Sequence, residues 1–176
     1  AGAERERLLD DAETRMLEAL DSSPRLLDEE GESWWSTLGG LYRHRGETRK
    51  AIRAYEEAAK ITPYSSYPLS QLAIQQGTAG DDMAMIQTYR DVERLARQET
   101  QANPDNYWPY ADLLVARLAL GKIQEAEEVL NVVLQLIPRD LAYAASSLLV
   151  TLAKLAKLVP DNATQIERVI RYIREN

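Results

Sequence analysis

One spacing constrains this chain more than anything else in it. Gly46 and Gly80 lie 34 residues apart, as do Tyr55 and Tyr89, and Pro104 and Pro138. A second spacing, of 41 residues, relates Gly80 to Gly121, Pro63 to Pro104 and Pro68 to Pro109. A fixed period of this length means one supersecondary unit used repeatedly, with the core formed between neighbouring units. The difference between the two spacings is seven residues, and it falls between Tyr89 and Pro104. That is close to two helical turns, so the insertion lengthens a helix without rotating its apolar face. A long helix is therefore expected from about Asp81 to about Ala102.

The first unit carries Trp35-x2-Leu38-Gly39-x2-Tyr42, then Gly46, Ala51-x3-Tyr55, Ala58 and Pro63. This run resembles the tetratricopeptide repeat, a unit of about 34 residues folded as two antiparallel helices. The resemblance implies an all-α, right-handed α-solenoid (superhelix) of antiparallel helix pairs, whose role is to hold another protein. Each matched residue has a mechanical reason. Gly39 in mid-helix costs roughly 1 kcal/mol against alanine, a cost that close approach of the second helix offsets. Ala51 and Ala58 are the small residues facing it. Trp35, Leu38, Tyr42 and Tyr55 fill the space between the helices, and Gly46 makes the turn. Pro63 ends the second helix because it lacks an N–H and clashes with the preceding turn.

The register divides the chain into a partial repeat and linker at 1–31, repeat one at 32–65, repeat two at 66–105, repeat three at 106–140 and a C-terminal capping helix pair at 141–176. Repeat three carries Tyr110, Leu113, Gly121, Ala126, Leu130 and Pro138. At the start, Ala12, Met16, Ala19 and Pro24 reproduce the spacing of Ala51, Tyr55, Ala58 and Pro63. Residues 3–21 therefore read as a second helix whose first helix is missing, as in a fragment of a longer protein; an N-terminal capping helix is the alternative. Leu8, Leu9, Ala12, Met16, Leu17, Ala19 and Leu20 cover more than one face, so this open end is expected to self-associate or to continue into another repeat. At the other end, Leu141, Ala145, Leu148, Leu152, Leu155 and Val159 keep helical spacing. Pro160, Asp161 and Asn162 then break the chain, with Asn162 and Gln165 placed for a capping box before Ile166, Val169, Ile170 and Ile173.

Composition excludes several classes of function. The chain has no cysteine, which removes disulfides, thiolate metal sites and cysteine nucleophiles. A net charge of −7 disfavours general nucleic-acid binding, which depends on cations neutralising phosphates. The uncharged, strongly apolar run of residues 141–153 is thirteen residues, short of the roughly 20 that a membrane span requires; it reads as a buried helix. No secretory signal is visible in the charged N-terminal region, and a cytoplasmic location is the expectation. Residues 1–31 hold ten Asp or Glu against four Arg, an exposed acidic surface. Arg43, His44, Arg45, Arg49, Lys50 and Arg53 form a local basic cluster, read either as a solvated turn or as a rim for an acidic partner segment.

No catalytic, cofactor or metal site is expected. His44 is the only histidine, and no serine stands on a strained strand-to-helix turn of the kind a nucleophile elbow needs. Gly39-Gly40 lies inside a helix, so it is no phosphate loop, and one histidine without cysteine makes a poor transition-metal site. What the resemblance does imply is a concave groove lined by first helices that takes a peptide or helix of a partner. The inward positions would be Ser33, Ser36, Gly40, Arg43 and His44 in repeat one. In repeat two they would be Tyr67, Ser70, Ile74 and Gly77; in repeat three, Trp108, Ala111, Asp112, Val115 and Leu118. The Lys and Asn clamp that some relatives use for chaperone tails is missing, since Ser36, Gly40, Trp108 and Asp112 hold those places. Trp108 and Tyr67 are the aromatic anchors, because Trp and Tyr are enriched at binding hot spots. The expectation is a non-enzymatic interaction scaffold; the alternative is a regulatory or targeting arm of a larger enzyme or signalling protein.

Overall fold

The computed structural model describes residues 2–138 and 142–175. Leu141, counted above in the apolar run of the C-terminal pair, lies outside them. Among the described residues the fold is all-α, with a lone antiparallel bridge between Leu27 and Ser33 as its only extended pairing. It divides into two compact units, Ala1–Pro63 and Tyr64–Asn176.

The first unit holds α1 (Gly2–Ser22), α2 (Trp34–Arg45) and α3 (Thr48–Ile61). Ser33 opens α2 by accepting a hydrogen bond from the Trp35 backbone N–H at 3.2 Å, which satisfies one of the amides a helix start leaves orphaned. Gly46 closes it at φ 73° with a left-handed cap, a conformation glycine adopts without penalty. The two-residue turn folds α3 back along α2. A Cβ on Gly39 would stand 2.8 Å from the Tyr55 ring, which is fully buried there. The expected exchange of a helix-propensity cost for close helix approach is therefore met. Trp35 differs from expectation. It is only half-buried, and its indole N–H donates to the Pro24 carbonyl at 3.1 Å, so it ties the linker down as well as bordering the core.

The second unit holds α4 (Tyr67–Thr78), α5 (Asp82–Ala102), α6 (Tyr107–Ala119), α7 (Ile123–Leu136), α8 (Ala142–Leu158) and α9 (Ala163–Glu175). The 21-residue α5 is the lengthened helix, and Asp81 caps it by accepting from the Ala84 N–H at 3.0 Å. Consecutive helices α4 to α7 pack on one another, and Met85, Tyr89, Val92, Leu114, Leu118 and Val133 are buried between them. On the second-helix side Glu93 is buried and accepts from Lys122 at 2.8 Å, with the Arg117 guanidinium 3.6 Å away; pairing is what makes a buried carboxylate tolerable.

The last two helices turn back on this stack. A 3-10 turn, Pro160–Asn162, precedes α9, and the chain bends by 117° across it. Asn162 does not form the expected capping box. Its backbone N–H donates to the Val159 carbonyl, and its side-chain amide donates to the Leu118 carbonyl at 3.1 Å at the end of α6. A side chain that can close an orphaned helix end serves a tertiary contact there. Among the described residues no single helix is long and apolar enough to cross a membrane.

Candidate protein-interaction face

The first helices of the second unit are unusually poor in charge. α4 has no charged residue, α6 only Asp112 and Arg117, and α8 only Lys154 and Lys157. Arg117 faces Glu93 and Glu125, and Asp112 accepts from the Ser66 hydroxyl at 2.9 Å. Asn106 starts α6 by accepting from the Trp108 N–H at 3.3 Å. The adjoining Tyr107 ring is buried, while Trp108 is 36% exposed.

α8 lies along this side. The Tyr107 hydroxyl donates to the Ala144 carbonyl at 3.4 Å, and the Trp108 and Tyr143 rings stack with centroids 5.8 Å apart and planes 21° apart. At the other end a Cβ on Gly77 would meet Leu158 Cδ1 at 3.0 Å and Met85 Sδ at 2.4 Å. The start of α8 is thus beside the start of α6 and its end beside the end of α4, so it runs in the same direction as both. Ala144, Leu148, Leu152, Leu155 and Val159, on its inner stripe, are buried.

This arrangement explains where the groove residues named from sequence stand. In the second unit Ser70, Ile74, Ala111 and Val115 are buried, Tyr67 and Asp112 are half-buried, and Trp108 is at the surface. In the first unit Ser36 is buried and Gly40 half-buried, whereas Arg43 and His44 are exposed. Tyr143, Val150 and Lys157 were not foreseen. For Tyr143 and Val150 the signal was present in the uncharged run 141–153, where they fall opposite Leu148, Leu152 and Leu155 on the helix.

Electrostatics separates the two units. In the first, acids of α1 meet the basic cluster: Arg45 pairs with Asp10 at 2.6 Å and with Glu13, and Lys50 stands 3.6 Å from Glu13 while pairing with Glu47, at the start of its own helix, at 2.5 Å. Arg5 Nη2 stands 2.7 Å from His44 Nε2, which must accept, since a guanidinium only donates. The Tyr42 hydroxyl donates to Glu13 at 2.9 Å; burial, and then this carboxylate, push its pKa up to about 12. In the second unit burial pushes Tyr107 up to about 12 as well, with the Asp112 charge adding to it, and moves Tyr89 higher still for the same two reasons. Glu99, half-buried and accepting from the Ser66 N–H at 3.0 Å, is raised by burial. Each group has a packing explanation. Among the described residues no cluster of His, Asp or Glu has the makings of a metal site.

No protein family matches the sequence, and no curated protein does. Solved structures do. The chain is similar to MamA, with 16% identity and a TM-score of 0.50 over 95% of this chain and 89% of that one. It is also similar to BtubC from P. vanneervenii, with 18% identity and a TM-score of 0.55 over 98% of this chain and 75% of that one. Both are helical repeat proteins of the tetratricopeptide type. At this identity the likeness speaks for the fold, and the chain has a tetratricopeptide-like helical-repeat fold.

Proposed function

We propose that the chain is a protein-interaction scaffold that takes a peptide or helix of a partner protein on the first-helix side, with no catalytic step and no cofactor. One observation carries this reading. In a helical-repeat fold, the side that relatives of this type present to partners holds an exposed Trp108 among helices almost free of charge. Loss of charge with retention of aromatic residues is the compositional mark of an interface core. In this reading Trp108 reaches the partner in the second unit, where Tyr67 and Asp112 stay half-buried, and the exposed Arg43 and His44, with Gly40, are a separate contact of the first unit. Ser36, Ser70, Ile74, Ala111 and Val115 shape the surface from beneath.

An unbiased peptide display against the full chain, repeated with Trp108→Ala, tests the reading. A hot-spot tryptophan costs about 2 kcal/mol or more on truncation, so selected peptides should lose roughly thirtyfold in affinity. A library that yields no binder would overturn the scaffold reading, and equal affinity for the variant would remove Trp108 from the contact.

A further inference from the structure

The outer stripe of α8 is an anomaly in a surface otherwise rich in charge. The inner stripe is consumed by α4 and α6, yet Tyr143 and Val150 on the opposite side are 56% and 58% exposed. Ser146, Ser147 and Ala153 beside them are exposed too, and no charge appears on the helix before Lys154. Trp108 stacks on Tyr143 and extends the apolar strip onto α6. The second helices show the contrast. α5, α7 and α9 carry Asp, Glu or Arg along their outer faces, as helices facing only water usually do. Towards the end of α8, Lys154 and Lys157 are both exposed, against a single carboxylate, Asp161, in the turn that follows.

We infer that the outer stripe of α8, from Tyr143 through Val150 to Lys157 and joined by Trp108, docks a segment of a partner protein that is apolar at one end and acidic at the other. The inference rests on the scaffold reading and names the partner's chemistry. α8 fills the face that the sequence assigned to the ligand, so its own back becomes the lining the partner meets. The aromatic pair Trp108 and Tyr143 anchors one end and Val150 the middle. Lys157 selects carboxylates, because an end of the stripe with more cations than anions gains from an acidic partner and repels a basic one. From Tyr143 to Lys157 the stripe runs about 21 Å, the length of an equally long helix laid alongside.

Two fluorescent helical peptides of about this length, sharing one Leu/Trp stripe and differing only in glutamates or lysines at one end, provide the test. Binding is measured to the full chain and to Val150→Ser and Lys157→Glu. Both sites are exposed, so the variants keep the far-UV spectrum and thermal transition of the parent. The glutamate peptide is expected to bind at least about tenfold tighter than the lysine peptide, to lose about tenfold on either substitution, and to exchange preference with the lysine peptide on Lys157→Glu. Equal affinity of the two peptides, or affinity unchanged in both variants, overturns the proposal. Peptides from an unbiased library that bind but ignore both substitutions overturn it while leaving the scaffold reading standing. A library without binders removes both. Capture of the chain by phosphatidylserine vesicles, lost in the variants, would assign the stripe to a membrane surface and overturn it as well.

Discussion

Two adjacent glycines set the sharpest expectation at the scale of single residues. A Cβ at Gly39 would lie 2.8–2.9 Å from three atoms of the Tyr55 ring, whereas one at Gly40 would lie 3.9 Å from its hydroxyl. The ring is rigid and buried, so Gly39→Ala must push the helices apart and should cost about 1–3 kcal/mol, outweighing the roughly 1 kcal/mol of helix propensity gained. Gly40→Ala collects that propensity without the clash and should be neutral to stabilising by up to about 1 kcal/mol. Urea midpoints of the two variants check this, and equal midpoints would mean the close approach at Gly39 is unimportant. Gly77 differs, because the atoms a Cβ would meet are the flexible ends of Met85 and Leu158, which can move aside. The tyrosines give a pH expectation. Tyr42 and Tyr107 are raised from 10.0 to about 12 in the fold, so the unfolded chain loses these protons first. Their stabilising contribution is complete below pH 10 and is lost as pH rises towards 12. Far-UV ellipticity should therefore fall over that window, and Tyr107→Phe should delay the loss.

At the scale of elements, the helices with dense sequence signals are the ones the residues made legible. The 34- and 41-residue spacings located α2 to α7, and the extra turns of α5 between Asp81 and Ala102 follow from the seven additional residues. What stayed hidden was the place of α8. Periodicity shows which stripe of a helix is apolar, but not which surface will cover it, and an uncharged run reads as buried all round. α8 instead covers α4 and α6 with one stripe and leaves Tyr143 and Val150 outside. Asn162 was misread for a related reason, since a residue suited to a helix start is equally suited to the open carbonyls of a neighbouring helix end. α1 is the element held most by charge. Leu20 is its one buried residue, Leu8 and Leu17 are exposed, and Arg45 joins α2 to Asp10 and Glu13. Ion pairs at a surface weaken with salt. Backbone amides of α1 should therefore exchange faster than those of α3, faster again at high salt, and faster in Arg45→Met at low salt. Protection of α1 that ignores both salt and the substitution would show that the apolar stripe alone holds it.

At the scale of the whole molecule, the two compact units differ in how much core each commands. Tyr64–Asn176 buries Tyr89, Leu114, Leu118, Leu152, Leu155 and Ile166 within itself, with α8 covering α4 and α6 and α9 packed on α8 and α7. Ala1–Pro63 relies on Leu38, Tyr42, Tyr55 and three small alanines, with Leu20 from α1. Chains of about 60 residues bury a smaller share of their surface than chains twice as long and are correspondingly marginal. Residues 64–176 expressed alone should therefore fold, with a helical far-UV spectrum and a cooperative urea transition. Because a denaturant slope scales with the surface exposed on unfolding, the fragment's slope should be smaller than that of the full chain. Its midpoint should coincide with the higher of two transitions if the units unfold separately, as repeat arrays with weak neighbour coupling do. Residues 1–63 alone should show a broad, low-midpoint transition that sharpens as salt is lowered, because the Arg45 pairs regain strength. A 64–176 fragment with no cooperative transition would mean that its core, large as it is, needs the first unit as a template, and the division of the chain into separately stable units would fail.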